Sequence, residues 1–151
     1  MKKYQFKFKK VWKIKKFNED IKKNDFQKAK SELERKDKEL KLLKNELETQ
    51  IGNFTSSNQK WIKAADIAIL GNYINNITQN INTKKLELNN IAKSVNEKQQ
   101  QLSKAIKERK VYDKLNERHY DKFREEVNKV YQKKLDNDAM VSYSYKDRER
   151  Y

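Results

Sequence analysis

The stretch GNFTSSNQK, residues 52–60, decides the fold, because it is the one place where a chain otherwise free of breakers can turn. It holds a glycine, three hydroxylated residues and two asparagines, a mixture that favours turns over helix. Nothing comparable occurs elsewhere: proline is absent and glycine appears only as Gly52 and Gly71, where an average chain of this length has about seven prolines and ten glycines. A loop is therefore expected at about residues 52–63, centred near residue 58, with uninterrupted helix on both sides.

Upstream of the loop the apolar residues Phe26, Ala29, Leu33, Leu40, Leu43, Leu47 and Phe54 step by threes and fours, interrupted at Lys36 and Gln50. That is a coiled-coil seam. Val11, Ile14, Phe17 and Ile21 form a second apolar line whose phase joins the first only through a slip near residues 22–25, which reads as one helix with a stutter. Downstream, a single register runs from Ile67 to Met140, and 14 of its 22 seam positions are apolar, against about eight expected from composition alone.

Two long amphipathic helices joined by a short loop fold back on each other, because each seam needs a partner and the other helix is the nearest. The expected fold is all-α, an antiparallel two-helix coiled coil forming a single hairpin over residues 1–151. Helix one should cover about 9–51, the loop about 52–63, helix two about 64–140, and a frayed tail 141–151. With the turn near residue 58, paired residue numbers sum to about 116, so Leu47 should lie near Leu70, Leu33 near Lys84 and Phe8 near Glu108. Helix two then outruns helix one by about 30 residues, or ~45 Å. Its seam changes there: Arg109, Asn116, His119, Glu126, Lys133 and Asn137 are polar, while Tyr112, Tyr120, Phe123, Val127, Tyr131 and Leu135 make a separate apolar line. An apolar line on an unpartnered helix end is expected to be covered by another protein.

Composition limits the function. With 35% hydrophobic and 39% charged residues and a mean hydropathy of -1.24, the chain cannot fill a two-layer core. No cysteine is present, no window approaches the ~20 apolar residues of a membrane span, and the start lacks a secretory pattern, so an intracellular, soluble protein is expected. No glycine-rich phosphate loop, nucleophile elbow or metal-spaced cluster occurs, and the single histidine, His119, falls on a seam position. Neither enzyme activity nor a cofactor, metal or small-molecule substrate is expected. The net charge of +15 is concentrated in the first 16 residues, which hold eight lysines and no acid, whereas residues 17–48 carry nine bases and nine acids. Sixteen asparagines beside the lysines are also what a genome-wide compositional drift would leave on exposed positions. A membrane-surface helix needs its apolar residues on one face, but Tyr4, Phe6, Phe8, Val11, Trp12 and Ile14 scatter around an ideal helix. Nucleic-acid binding has the charge in its favour but no recognisable recognition motif.

The order of these features resembles the FliJ family, the soluble coiled-coil component of the flagellar type III export apparatus. The resemblance rests on YQFKFKKVWKI at 4–14, on NYINNITQNINTKKLEL at 72–88, and on Leu135 and Asp136 near the end, where Asn137 departs from the family's acidic residue. It implies a non-catalytic stalk and adaptor, cytoplasmic and peripherally associated with the inner membrane at the flagellar base. The implied partners are the hexameric export ATPase, the cytoplasmic domain of the export gate protein, and export chaperones. Expected ATPase contacts are Lys7, Lys10, Val11, Lys13, Ile14 and Lys16, with Tyr112, Tyr120, Phe123, Val127, Tyr131 and Leu135. The family's gate-docking face carries over onto Tyr73, Ile77, Asn80 and Lys84, of which Tyr73 and Ile77 keep the aromatic and aliphatic character and the other two depart from it. Two other readings stand beside this one: a basic coiled coil that binds nucleic acid, and a structural scaffold of another secretion system.

Overall fold

The computed structural model describes residues 3–56 and 63–148, with side chains described to Tyr143. Among these the chain forms two helices, α1 (Lys9–Ser56) and α2 (Ala64–Arg148), and no strand. It is all-α, an antiparallel helix pair with the second helix the longer.

Helix α1 passes the expected end at residue 51 and continues through Gly52 to Ser56. Glycine within a helix costs about 1 kcal/mol relative to alanine, and the half-buried Phe54 on the seam helps to offset it. The centre of the expected loop, 57–62, lies outside the described residues. Helix α2 begins at Ala64, with Asp66 in its first turn where a carboxylate is favoured by the helix dipole. It stays helical to Arg148, so the fraying expected from residue 141 does not begin there; nothing in this segment breaks a helix.

Packing divides into two compact units, Glu19–Lys104 and Met1–Asn18 with Ala105–Tyr151. In the first, Leu40, Ile77 and Ile81 form the buried core, with Leu43, Leu47, Tyr73 and Leu88 packed around them. Polar pairs flank it: Lys36 to Glu87 at 3.6 Å, Lys84 to Glu39 at 3.3 Å, and Lys22 to Gln101 at 3.0 Å. In each pair the residue numbers sum to 123, one heptad above the expected sum of about 116. Lys84 therefore lies beside Glu39 and not Leu33. Extension of α1 beyond residue 51 moves the turn down the chain, and a slip of one heptad keeps the same faces in contact.

The stutter near residues 22–25 is not observed. Counting back from Phe26 in unbroken heptad steps gives Lys22, Glu19, Lys15, Trp12 and Phe8, and each of these is half-buried. Val11, Ile14, Phe17 and Ile21, the expected second seam, are exposed instead. A helix with one partner has one inward face, and here polar residues hold it.

Candidate partner-binding surfaces

In the unit formed by Met1–Asn18 and Ala105–Tyr151, residues 3–6 precede α1 without helical structure. Tyr4, Phe6 and Phe8 alternate with polar residues, and in an extended segment such a pattern sends every second side chain to one side. All three rings meet α2. The Tyr4 hydroxyl donates to the Asn116 side-chain oxygen at 2.7 Å and lies 3.1 Å from its backbone carbonyl. Its ring packs edge-on against Tyr120, with centroids 5.3 Å apart, and against Phe123 at 5.5 Å. Burial pushes the Tyr4 phenol up from its ordinary pKa. Phe6 is buried beside Phe8 and His119, at 5.9 and 5.8 Å.

The first turns of α1 then attach by polar contacts. The Trp12 indole N–H donates to an Asp113 carboxylate oxygen at 2.7 Å, and Asp113 is also bound by Arg109. Lys15 makes a charge-assisted hydrogen bond to Glu108 at 2.7 Å, which holds the Lys15 ammonium above its ordinary pKa. A shallow cleft of about 360 Å³ lies among Tyr4, Gln5, Phe6, Lys9, Trp12 and Asn116. Its lining contains no carboxylate, imidazole or thiol.

Several residues expected to contact the ATPase make contacts within this chain. Phe8 meets His119, not Glu108, which pairs with Lys15. The seam of α2 stays covered past Arg109, through Asn116, His119 and Phe123, because residues 4–15 lie over it. Tyr120 and Phe123 thus pack on this chain's own Tyr4, and Tyr112 is half-buried. Among the described residues, contacts of residues 4–15 with α2 end at Phe123, and the helix runs on to Arg148, about 25 residues or ~38 Å. Within it Val127 is half-buried, while Tyr131 is 64% and Leu135 50% exposed. Val130, which the sequence line omitted, is exposed on the same side of the helix. On α1, Lys7, Lys10, Lys13 and Lys16 are all exposed, with Lys16 over the Trp12 ring at 5.0 Å. Val11 and Ile14 face outward with them.

The expected gate-docking residues lie in the unit Glu19–Lys104, and most of them face α1. Ile77 is 6% exposed and belongs to the core. The Tyr73 hydroxyl donates to Glu46 at 2.8 Å, and that hydrogen bond, with some desolvation, raises the Tyr73 pKa. Lys84 binds Glu39, whose pKa it lowers together with Lys36 and Arg35. Asn80 alone of the four is exposed.

No group of three or more histidine, cysteine or acidic residues suited to a metal ion occurs among the described residues. No described helix is long and apolar enough to cross a membrane. Searches of curated proteins and of solved structures gave no match. The family of the flagellar FliJ protein matches residues 4–148, which spans α1, α2 and the aromatic segment that precedes them. The chain belongs to the FliJ family and is a component related to flagellar protein export.

Proposed function

We propose that this chain is a non-catalytic stalk and adaptor of the flagellar type III export apparatus, acting on the hexameric export ATPase. The observation that carries this reading is the apolar line of Val127, Val130, Tyr131 and Leu135 beyond the contacts of residues 4–15, on a helix that remains regular to Arg148. Contiguous exposed apolar residues of this kind mark protein interaction sites. The basic residues Lys7, Lys10, Lys13 and Lys16, with Val11 and Ile14, supply a second contact in the same unit. Tyr120 and Phe123 act indirectly, by holding the segment that carries Tyr4 against α2.

The export gate's cytoplasmic domain is assigned to the edge presented by Asn80 and the Tyr73 ring, with Ile77 and Lys84 keeping that edge in place from the seam. Export chaperones complete the set of partners, and recruitment to the inner membrane at the flagellar base follows from these contacts.

The test is to mix the chain with its export ATPase and follow ATPase oligomerisation and turnover. The chain should raise both. Tyr131→Lys with Leu135→Lys should weaken the effect on the order of a hundredfold in concentration, given about 1.5–3 kcal/mol for each fully buried apolar side chain. Helix content should not change, since both residues are at least half exposed. An inert mixture with no co-purification would reject the reading.

A further inference from the structure

The outward face of the first turns of α1 is both apolar and basic. Ile14 is 64% and Phe17 66% exposed, and Val11 lies at the margin of the same face. At ~100° per residue Ile14 and Phe17 stand about 60° apart, with Lys10 between them and Lys13 alongside. The aromatics that made this stretch look unsuited to a membrane surface do not share that face. Tyr4, Phe6 and Phe8 meet Asn116, His119, Tyr120 and Phe123, and Trp12 bonds Asp113. With those rings turned toward α2, the residues on the outward face segregate.

We propose that this face binds an anionic lipid surface directly, with Ile14 and Phe17 inserted at headgroup depth and Lys7, Lys10 and Lys13 against the acidic headgroups. Charge selects the occupant: the first 16 residues carry eight lysines and no acid, so two copies would repel, whereas an anionic bilayer attracts. Lysine stems beside Ile14 and Phe17 lie along the apolar boundary while their ammonium groups reach phosphate. A single-stranded nucleic acid would instead seek free aromatic faces for stacking, and here the rings of Tyr4, Phe6 and Phe8 are engaged with α2. The polar contacts of Trp12 and Lys15 to α2 leave the apolar residues of this segment available. This goes beyond the stalk reading. Lipid and ATPase would compete for Ile14 and the neighbouring lysines.

The experiment sediments the full chain with vesicles of phosphatidylcholine containing about 30% phosphatidylglycerol, and with phosphatidylcholine alone, at about 0.1 M salt. The chain should bind the anionic vesicles at least about tenfold more tightly than the neutral ones. Ile14→Ser with Phe17→Ser leaves the charge unchanged and should weaken anionic-vesicle binding about tenfold, with an unchanged circular dichroism spectrum. Lys10→Gln with Lys13→Gln should weaken it by a similar factor. Absence of binding, equal binding to neutral vesicles, or wild-type binding by the serine variant overturns the inference. So does a DNA oligonucleotide that binds as tightly as the anionic vesicles and loses affinity in the same serine variant, which would make the face a nucleic-acid surface. No ATPase is present in this assay, so its failure leaves the stalk reading intact, and failure of the ATPase assay leaves lipid binding intact.

Discussion

Ile77 separates a seam residue from a docking residue, and Ile77→Ala tests which it is. Its side chain is 6% exposed and packs with Leu40 and Ile81. Truncation of a buried isoleucine to alanine costs about 2–5 kcal/mol, and the lower half of that range applies where neighbours can relax into the gap. A two-helix seam allows such relaxation, so about 3 kcal/mol is expected. For a chain of this length that lowers the melting temperature by roughly 6–12 °C. Asn80→Ala, one turn along and exposed, should change stability by less than about 0.5 kcal/mol. Thermal and urea melts followed by helical circular dichroism measure both, each variant being compared on the transition that reports the unit Glu19–Lys104. If Ile77→Ala proves as mild as Asn80→Ala, then Ile77 is not core and the pairing of α1 with α2 is wrong. If the cost is as expected, loss of gate binding by Ile77→Ala must be corrected for stability, while loss by Asn80→Lys at unchanged stability reports contact.

Tyr4→Phe removes the hydrogen bonds to Asn116 but keeps the ring against Tyr120 and Phe123, so it should cost about 1 kcal/mol and speed amide exchange near Asn116. Lys36→Leu places an apolar residue on a seam position that Lys36 now fills beside Glu39 and Glu87, and should raise the melting temperature by a few degrees. Stability should fall in acid, because Glu39 has its folded pKa lowered by Lys84, so its contribution is complete above 4.5 and lost as pH drops through the lower folded value; Lys84→Met should flatten that slope. At the alkaline end Lys15 and Tyr73 have raised folded pKa values, so their contributions are complete below 10.5 and 10.0 respectively and lost as pH rises through the folded values, which a melt series from pH 8 to about 11 measures.

Seam periodicity carried most of the fold. Every residue from Phe26 to Leu47 read as an apolar seam position in helix one is at least half-buried, and Ile77 and Ile81 in helix two lie in the core. What periodicity could not supply was the absolute register, because sliding one helix by seven residues returns the same faces to contact. The pairs Lys36–Glu87 and Glu39–Lys84 fix the choice through charge, which a hydropathy pattern does not contain. The end of α1 at Ser56 is ambiguous in the sequence for a related reason: Gly52 weakens a helix by an amount comparable to one seam contact, so the local sequence alone does not decide which wins.

At the start of α1 the same method gave the wrong face. Following apolar residues leads to Val11, Ile14, Phe17 and Ile21, and requires a stutter to reach Phe26. Following the register without a break leads to Trp12, Lys15, Glu19 and Lys22, and these lie inward. The polar face is stable there because its groups are paired: Trp12 donates to Asp113, Lys15 to Glu108 and Lys22 to Gln101, so few groups are desolvated without compensation. A signal for this was present in the sequence, since Tyr4, Phe6 and Phe8 alternate as an extended segment does and therefore belong to a different element from the helix that follows. On a single helix of residues 4–14 two periods mix: the aromatics scatter around the circle, and the segregation of Ile14 and Phe17 from the inward residues disappears. An apolar stripe out of phase with its own helix's seam is therefore the informative feature of this sequence: hairpin packing does not account for it.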